Sequence, residues 1–364
     1  MRKRKFPLKE QKKSFDFVLL AVVAIEVLFG LIVVYDVSVI QAYRDFGDSY
    51  YYIRQQLLWA LLGTFAGFFF ANFNYRNLKK ISGTIFLASL ILLMAVFIPG
   101  FGTEAGGAHR WLNLGLFTIQ PAEIVKFASV LWLASIFEKK TSLKPLMLVI
   151  PVVAAVMGAL QKDLGSTVVL VATAVLTYLI SGGSLWQMFI AAPIFVAGFL
   201  SLIVSSEYRK NRVMAFLDPF SDPQGFTYHI SQVLVALGSG GIFGLGFGQS
   251  RQKFYIPEVT TDSIFAVIGE EMGLLGGIFV VAIFFMLVWR GLRIAERCSD
   301  NYGKVLAVGI TSWIGIQAIV NLGAMVSLFP LTGVPLPFIS YGGSALVANM
   351  AAIGILLNIS KNRA

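Results

Sequence analysis

Residues 17–34 read FVLLAVVAIEVLFGLIVV, an apolar run interrupted by one ionisable group, Glu26. As a helix rising ~1.5 Å per residue, such a run matches the ~30 Å hydrocarbon core of a bilayer. Ile81–Ile98, Gly165–Ile180 and Val305–Phe329 are further uncharged runs of this kind. They must be helical, because lipid offers no partner to an unpaired backbone N–H or C=O. Of the 364 residues, 57% are hydrophobic and 13% charged, and the mean hydropathy is +0.77. Soluble domains carry charge at roughly 25% of positions. The chain therefore reads as an integral membrane protein.

Working outward from these runs gives ten transmembrane helices, at 16–36, 53–72, 81–98, 122–138, 144–160, 165–180, 186–205, 263–289, 304–328 and 338–359. An even count puts both termini on one side. That side holds 19 of the 29 Lys and Arg, in Arg2–Lys13, Arg76–Lys80, Lys139–Lys144, Arg290–Lys304 and the pair Lys361 and Arg363. The asymmetry marks it as cytoplasmic. The net charge of +10 then belongs to segments lying on anionic membrane lipids, and nucleic acid is not expected as a partner. The organisation expected is a basic tail over 1–15 and a single membrane domain over 16–360. Within it, a long extracytoplasmic loop over 205–262 joins helices 7 and 8. No cleaved signal is expected at the N-terminus. Cys298 stands alone, and His109 and His229 are the only histidines, which excludes an intrachain disulfide and makes a structural zinc site implausible.

The polar residues of the outward segments are few. In IQPAEIVKF, Glu123 and Lys126 are three apart on one helical face, as an ion pair between helices or as the lining of a substrate groove. Pro121 is placed for a first helical turn. Asp163, in QKDLGS, precedes a helix start and reads as an N-cap or a site residue. Arg54, opening the second span, is an interfacial anchor or an anion contact. The loop 205–262 is too apolar for a solvated tail and is expected on the outer leaflet or folded back into the bundle. Its run Gly238–Gly248, GSGGIFGLGFG, is a weak phosphate-loop signal and a better one for close backbone packing.

The junction of that loop with the next span reads FYIPEVTTDSIFAVIGEE, residues 254–271. Asp262 stands where loop becomes helix. A helix N-terminus stabilises its anion, whereas apolar neighbours such as Ile264 and Phe265 favour its neutral form. Either a cap or a catalytic carboxylate fits. Glu258 is a second acid beside it. At least one of Glu270 and Glu271 must face the bundle or a cavity, since lipid exposure of a carboxylate is costly.

Five blocks in order, HRWLNLGLFTIQPAEIVKF, QKDLGST, the segment from AFLDPF to KFYIPE, IPEVTTDSIFAVIGEEMGLLG and GVPLPFISYGGSALVANMAAIGILLNIS, resemble the SEDS family of FtsW- and RodA-type peptidoglycan glycosyltransferases. The junction GQSRQKFYIPE leans toward FtsW. The resemblance implies a SEDS-type ten-helix bundle that polymerises lipid II at the outer face of the bacterial cytoplasmic membrane. It carries the essential aspartate onto Asp262 and groove-lining residues onto Arg54, Trp111, Gln120, Glu123, Lys126 and Asp163. Here Thr260 replaces the family's usual histidine and Ser263 its phenylalanine, so roles of those side chains are not carried across. Nor is one placed on Thr332, where some members have lysine.

Asp262 would be the general base, and a cation (Lys126, Arg54, or a divalent Mg2+ or Mn2+) would stabilise the departing diphosphate. No organic cofactor is implied. The implied partners are lipid II, the nascent glycan strand and a class B penicillin-binding protein acting as transpeptidase. A lipid II flippase and a non-catalytic scaffold for a transpeptidase are the alternatives.

Overall fold

The computed structural model describes residues 15–105, 108–113, 115 and 117–362. All but one residue of the expected basic tail, and Arg363, lie outside these.

Helices lie in each of the ten expected intervals. They are α1 (Phe17–Phe46), α2 (Tyr51–Asn72), α3 (Tyr75–Ala95), α4 (Pro121–Phe137), α5 (Lys144–Leu148) with α6 (Ile150–Ala155) and a π-turn to Leu160, α7 (Leu164–Ile180), α8 (Leu185–Val204), α9 (Glu207–Leu217), α10 (Tyr228–Gly240), α11 (Ile264–Arg297), α12 (Asn301–Met325) and α13 (Gly343–Ser360). Six of these, α1, α3, α8, α11, α12 and α13, are long and apolar enough to cross a membrane. In α1 the Asp16 side chain accepts from Leu19 N at 3.0 Å. Glu26, which interrupts its apolar run, is turned fully inward.

Burial sorts the helices. In α12 and α13, 83% of the apolar window is buried against protein, in α8 only 6%. The first two form the core, and α8 presents its apolar surface outward. α13 lies along α2, where small residues let backbones meet: a Cβ at Gly354 would fall 2.2 Å from the Gly67 carbonyl oxygen. Without a hydrophobic driving force between helices in lipid, such close packing is what associates them.

One expectation needs correction. The fold is not all-α: a three-stranded antiparallel sheet, β1 (Gly102–Ala105), β2 (Ala108–Asn113) and β3 (Thr118–Ile119), in the order β1-β2-β3, fills the connection before α4. A segment outside the spans is free to satisfy its backbone by cross-strand pairing, and Ala108 and Leu112 turn inward while His109 and Asn113 stay exposed. Residues 205–262, the segment expected as a long loop, contain α9, α10 and a short 3-10 turn, Gln252–Phe254.

α10 and the glycine run after it fold back onto α11. Gly273 interrupts that helix with φ 63° and ψ −158°, which frees backbone groups on either side. The glycine run fills the break. Leu245 N and Gly246 N donate to the carbonyls of Glu270 and Glu271, both at 3.0 Å, while Leu274 N and Leu275 N donate to those of Gly241 and Ile242 at 2.9 and 3.3 Å. Non-helical backbone at such a position requires this substitution of partners. Glycine is needed for the approach, because a Cβ on Gly244 would meet the Glu271 carbonyl oxygen at 2.0 Å. The close-packing reading of the run is the one observed.

Candidate active site

Asp262 is the last residue but one before α11, and only 3% of it is exposed. It does not cap the helix: Ser263 takes the N-cap position, and no side chain bonds there. The turn before it is held by Glu258, whose φ is 50°. The Glu258 carbonyl accepts from Thr261 N at 3.1 Å and Ser263 N at 3.3 Å. A non-glycine residue in the left-handed region is strained, and surrounding structure must enforce it. The Thr261 hydroxyl lies 3.2 Å from the Glu258 carboxylate and 3.4 Å from that of Asp262. Thr260 is tied through its carbonyl to Tyr341 N at 2.9 Å, and Ser263 Oγ lies 2.7 Å from His229 Nε2.

Burial pushes the Asp262 carboxyl from its ordinary 3.8 up to about 6; Arg212 pulls it down, Glu258 pushes it up, and the Thr261 hydroxyl pulls it down again. Burial, reinforced by Arg212, lowers His229 to about 4. At neutral pH the site thus holds a largely ionised carboxylate beside an uncharged imidazole.

Leu331–Pro335, the extended segment after α12, gathers the surrounding groups. Arg212 Nη1 donates to the Leu331 carbonyl at 2.8 Å. A Cβ built on Gly333 would lie 3.6 Å from Arg212 Nη1 and 3.8 Å from Asp262 Oδ2, so cation and carboxylate both approach this glycine. Asn321 Nδ2 donates to the Asp262 carbonyl at 2.7 Å and the Val334 carbonyl at 2.8 Å. Gln317 Nε2 donates to Pro335 O at 3.1 Å. Gly165, in the first turn of α7, packs on the Thr332 carbonyl.

Beside this segment opens a cleft of about 390 Å³ whose walls include Val168, Phe199, Ile203 and Phe329. Arg110, Lys162, Arg209 and Arg212 reach it, with no Asp or Glu among its described lining residues. A second cavity of about 160 Å³, lined by Tyr208, Arg212 and His229 among others, shares the Arg212 wall. An apolar trough with clustered cations suits a ligand with a hydrocarbon chain and an anionic head.

The other sequence candidates are distributed as follows. Gln120 Nε2 donates to Asp163 Oδ2 at 3.3 Å. Asp163 Oδ1 also caps α7, accepting from Ser166 N at 3.0 Å. Glu123 and Lys126 form a fully buried pair, with Lys126 Nζ 2.7 Å from Glu123 and 2.8 Å from Gln317 Oε1. Arg54 pairs with Asp48 at an exposed helix start. Trp111 is half-buried in β2, opposite Thr103. Glu258 stands next to Asp262, as described.

The sequence reading missed Arg212, His229, Gln317 and Asn321. Gln317 and Asn321 carried a signal: two amides one turn apart inside an otherwise apolar span. Arg212 and His229 carried none, because only folding of α9 and α10 onto the bundle brings them to Asp262. Among the described residues, no group of three or more His, Cys, Asp or Glu could hold a metal ion.

The profile of the FtsW/RodA/SpoVE family, described as cell cycle protein, matches residues 16–364. Stage V sporulation protein E of Bacillus subtilis (strain 168) is 39% identical, over 96% of this chain and 98% of its own. A probable peptidoglycan glycosyltransferase FtsW from Geobacter metallireducens is 38% identical, over 98% and 97%. Among solved structures, a chain from work described as structural coordination of polymerization and crosslinking by a peptidoglycan synthase complex superposes with a TM-score of 0.79. It is 26% identical, over 96% of this chain and 98% of that one.

Proposed function

The chain belongs to the FtsW/RodA/SpoVE family of cell cycle proteins, and from that premise we propose that it is a peptidoglycan glycosyltransferase polymerising lipid II, with Asp262 as general base. The observation that carries the reading is the Asp262 carboxyl, buried and held near pH 6, close with Arg212 to Gly333 and beside a cation-lined apolar cleft. A base with a pKa just below the working pH is ionised yet still a useful proton acceptor.

In the proposed reaction, Asp262 takes the proton of the GlcNAc 4-hydroxyl of acceptor lipid II as its oxygen attacks C1 of the donor strand's MurNAc. The C1–O bond to phosphate breaks, and undecaprenyl diphosphate leaves with the electron pair. A single displacement of this kind inverts C1. Charge grows on the leaving diphosphate, where fixed cations in an apolar cleft act strongly. Arg212, with Arg110, Lys162 and Arg209, is better disposed for this than Lys126, enclosed by Glu123 and Gln317, or Arg54, paired with Asp48. No step is assigned to a divalent cation.

The reading includes ten membrane crossings, cytoplasmic termini, an extracytoplasmic site and a class B penicillin-binding protein as partner. The basic asymmetry of the loops supports the orientation, and the relative solved within a peptidoglycan synthase complex supports the partner. The deciding assay is glycan polymerisation by the purified chain from lipid II, with and without the transpeptidase. Product from the wild type and none from Asp262→Asn is expected. Lipid II scrambling across vesicles without glycan product would favour a flippase instead, and glycan synthesis with the transpeptidase present that is undiminished in Asp262→Asn would favour a scaffold.

A further inference from the structure

Glu270 and Glu271 lie two turns into α11 and take no part in the chemistry above. Both are buried and both reach back to the loop before Asp262. Glu271 accepts from Gly248 N and Ser250 N, each at 3.0 Å. Glu270 accepts from Arg251 N at 3.1 Å, Gln252 N at 3.2 Å and the Ser250 hydroxyl. Lys253 locks the arrangement: its ammonium is 3.3 Å from Glu271 and 3.0 and 3.2 Å from the two oxygens of Asp36 in α1. It also donates to Gly248 O at 3.4 Å. Lys253 is 8% exposed, Asp36 8% and Glu271 4%.

These contacts close residues 248–271 into a loop with its base at Lys253 and Glu271. Asp262 is the midpoint between them, nine residues from each. One arm carries buried Ile256 and Val259, and the other is the first two turns of α11. Beyond the base, the break at Gly273 separates these turns from the rest of the helix. The outer turns are therefore not continuous with the rest of the helix, and through Asp36 the clasp ties the base of the loop to α1.

We propose that Lys253, with Asp36 and Glu271, is a positioning residue for Asp262, fixing from nine residues away the loop that carries the carboxylate. The proposal rests on the reading of Asp262 as the base for its effect on rate, but not for its effect on the loop. Loss of the clasp lets residues 255–263 open more often, and a displaced base slows the chemical step without weakening substrate binding.

The test is amide hydrogen exchange on the full chain in lipid nanodiscs, with polymerisation kinetics on the same samples. Lys253→Met is expected to speed exchange at 255–263 by about tenfold or more, and to lower kcat by about 10- to 100-fold with KM for lipid II within about twofold. Lys253→Arg, which keeps the charge, is expected to recover most of both. Asp36→Asn serves if Lys253→Met does not accumulate, with a smaller change of the same sign. Arg290→Met, which breaks the distant Asp16–Arg290 pair, is expected to leave exchange at 255–263 unchanged. Wild-type exchange there in Lys253→Met, or in Asp36→Asn where that is the variant obtained, overturns the proposal. So does a rise in KM with unchanged kcat. Polymerisation by Asp262→Asn would overturn the assignment of the base alone, with the exchange result still deciding the clasp.

Discussion

Asp262 and Arg212 both approach Gly333, whose missing Cβ would lie 3.8 Å from the carboxylate and 3.6 Å from the guanidinium. Arg212 directs donors to the Leu331 carbonyl and the Tyr208 hydroxyl. Its charge thus lowers the pKa of Asp262. A base closed in a direct ion pair would have a lower pKa and would accept a proton less readily.

Gly333 has φ 73° and lies close to both groups. Gly333→Ala is expected to cost about 1–2 kcal/mol from the left-handed backbone alone. Its methyl group also approaches both, so kcat should fall further than the loss of stability explains. Thermal unfolding and single-turnover polymerisation, measured together, check this.

Asp262→Asn should abolish polymerisation and stabilise the fold. Folding raises this carboxyl from 3.8 to about 6, so its ionisation at neutral pH opposes folding by about 2–3 kcal/mol. The folded state binds the extra proton between these values, so wild-type stability rises as pH falls through 6. The advantage of the variant should be greatest above pH 6 and fade toward pH 4. Melting curves of both proteins across that range test the sign.

Activity of the wild type should show an acid limb at about pH 6, where Asp262 takes up its proton. Glu258→Gln removes a neighbouring negative charge and should move the limb to lower pH. Arg212→Met removes the cation, should move the limb to higher pH, and should also lower the plateau by weakening stabilisation of the leaving group. The pH dependence of kcat/KM distinguishes all three.

Asn321→Leu leaves the carbonyls of Asp262 and Val334 without the amide they share. Loss of hydrogen bonds to buried carbonyls costs about 1–3 kcal/mol. Here it also uncouples the end of the α11 loop from the Leu331–Pro335 segment, so a drop in kcat beyond that in stability is expected. Chemical denaturation and initial rates provide the comparison.

Lys126→Met strands the Glu123 carboxylate inside the bundle and should cost about 3–5 kcal/mol. Glu123→Gln combined with Lys126→Met should recover most of that stability. If the pair is structural, as its full burial suggests, activity returns with stability. A stable, inactive double variant would instead give Lys126 a role at the substrate.

Membrane insertion, the placing of helices and the loop–helix junction at Asp262 were legible because each is local. Apolar runs, a proline at a helix start and a carboxylate at a loop–helix boundary carry their meaning within some twenty residues. The i, i+3 spacing of Glu123 and Lys126 foretold their ion pair, though it left open whether the pair faced a groove or the core. In the fold both are buried.

The sheet before α4 and the helices α9 and α10 were not legible, because short segments outside the hydrocarbon lack the long periodic signal that lipid imposes. Arg212 and His229 gain their significance from those helices folding back onto the bundle.

The sequence by itself determined that this chain crosses a membrane, since no other solvent accommodates such runs of apolar side chains, and it marked one carboxylate at their edge. Only the tertiary structure decided what that carboxylate is. Its pKa depends on burial and on charges from positions 212 and 258, and its placement on contacts from residues 321 and 333. Electrostatic and packing energies depend on distance in space, which separation along the chain does not encode.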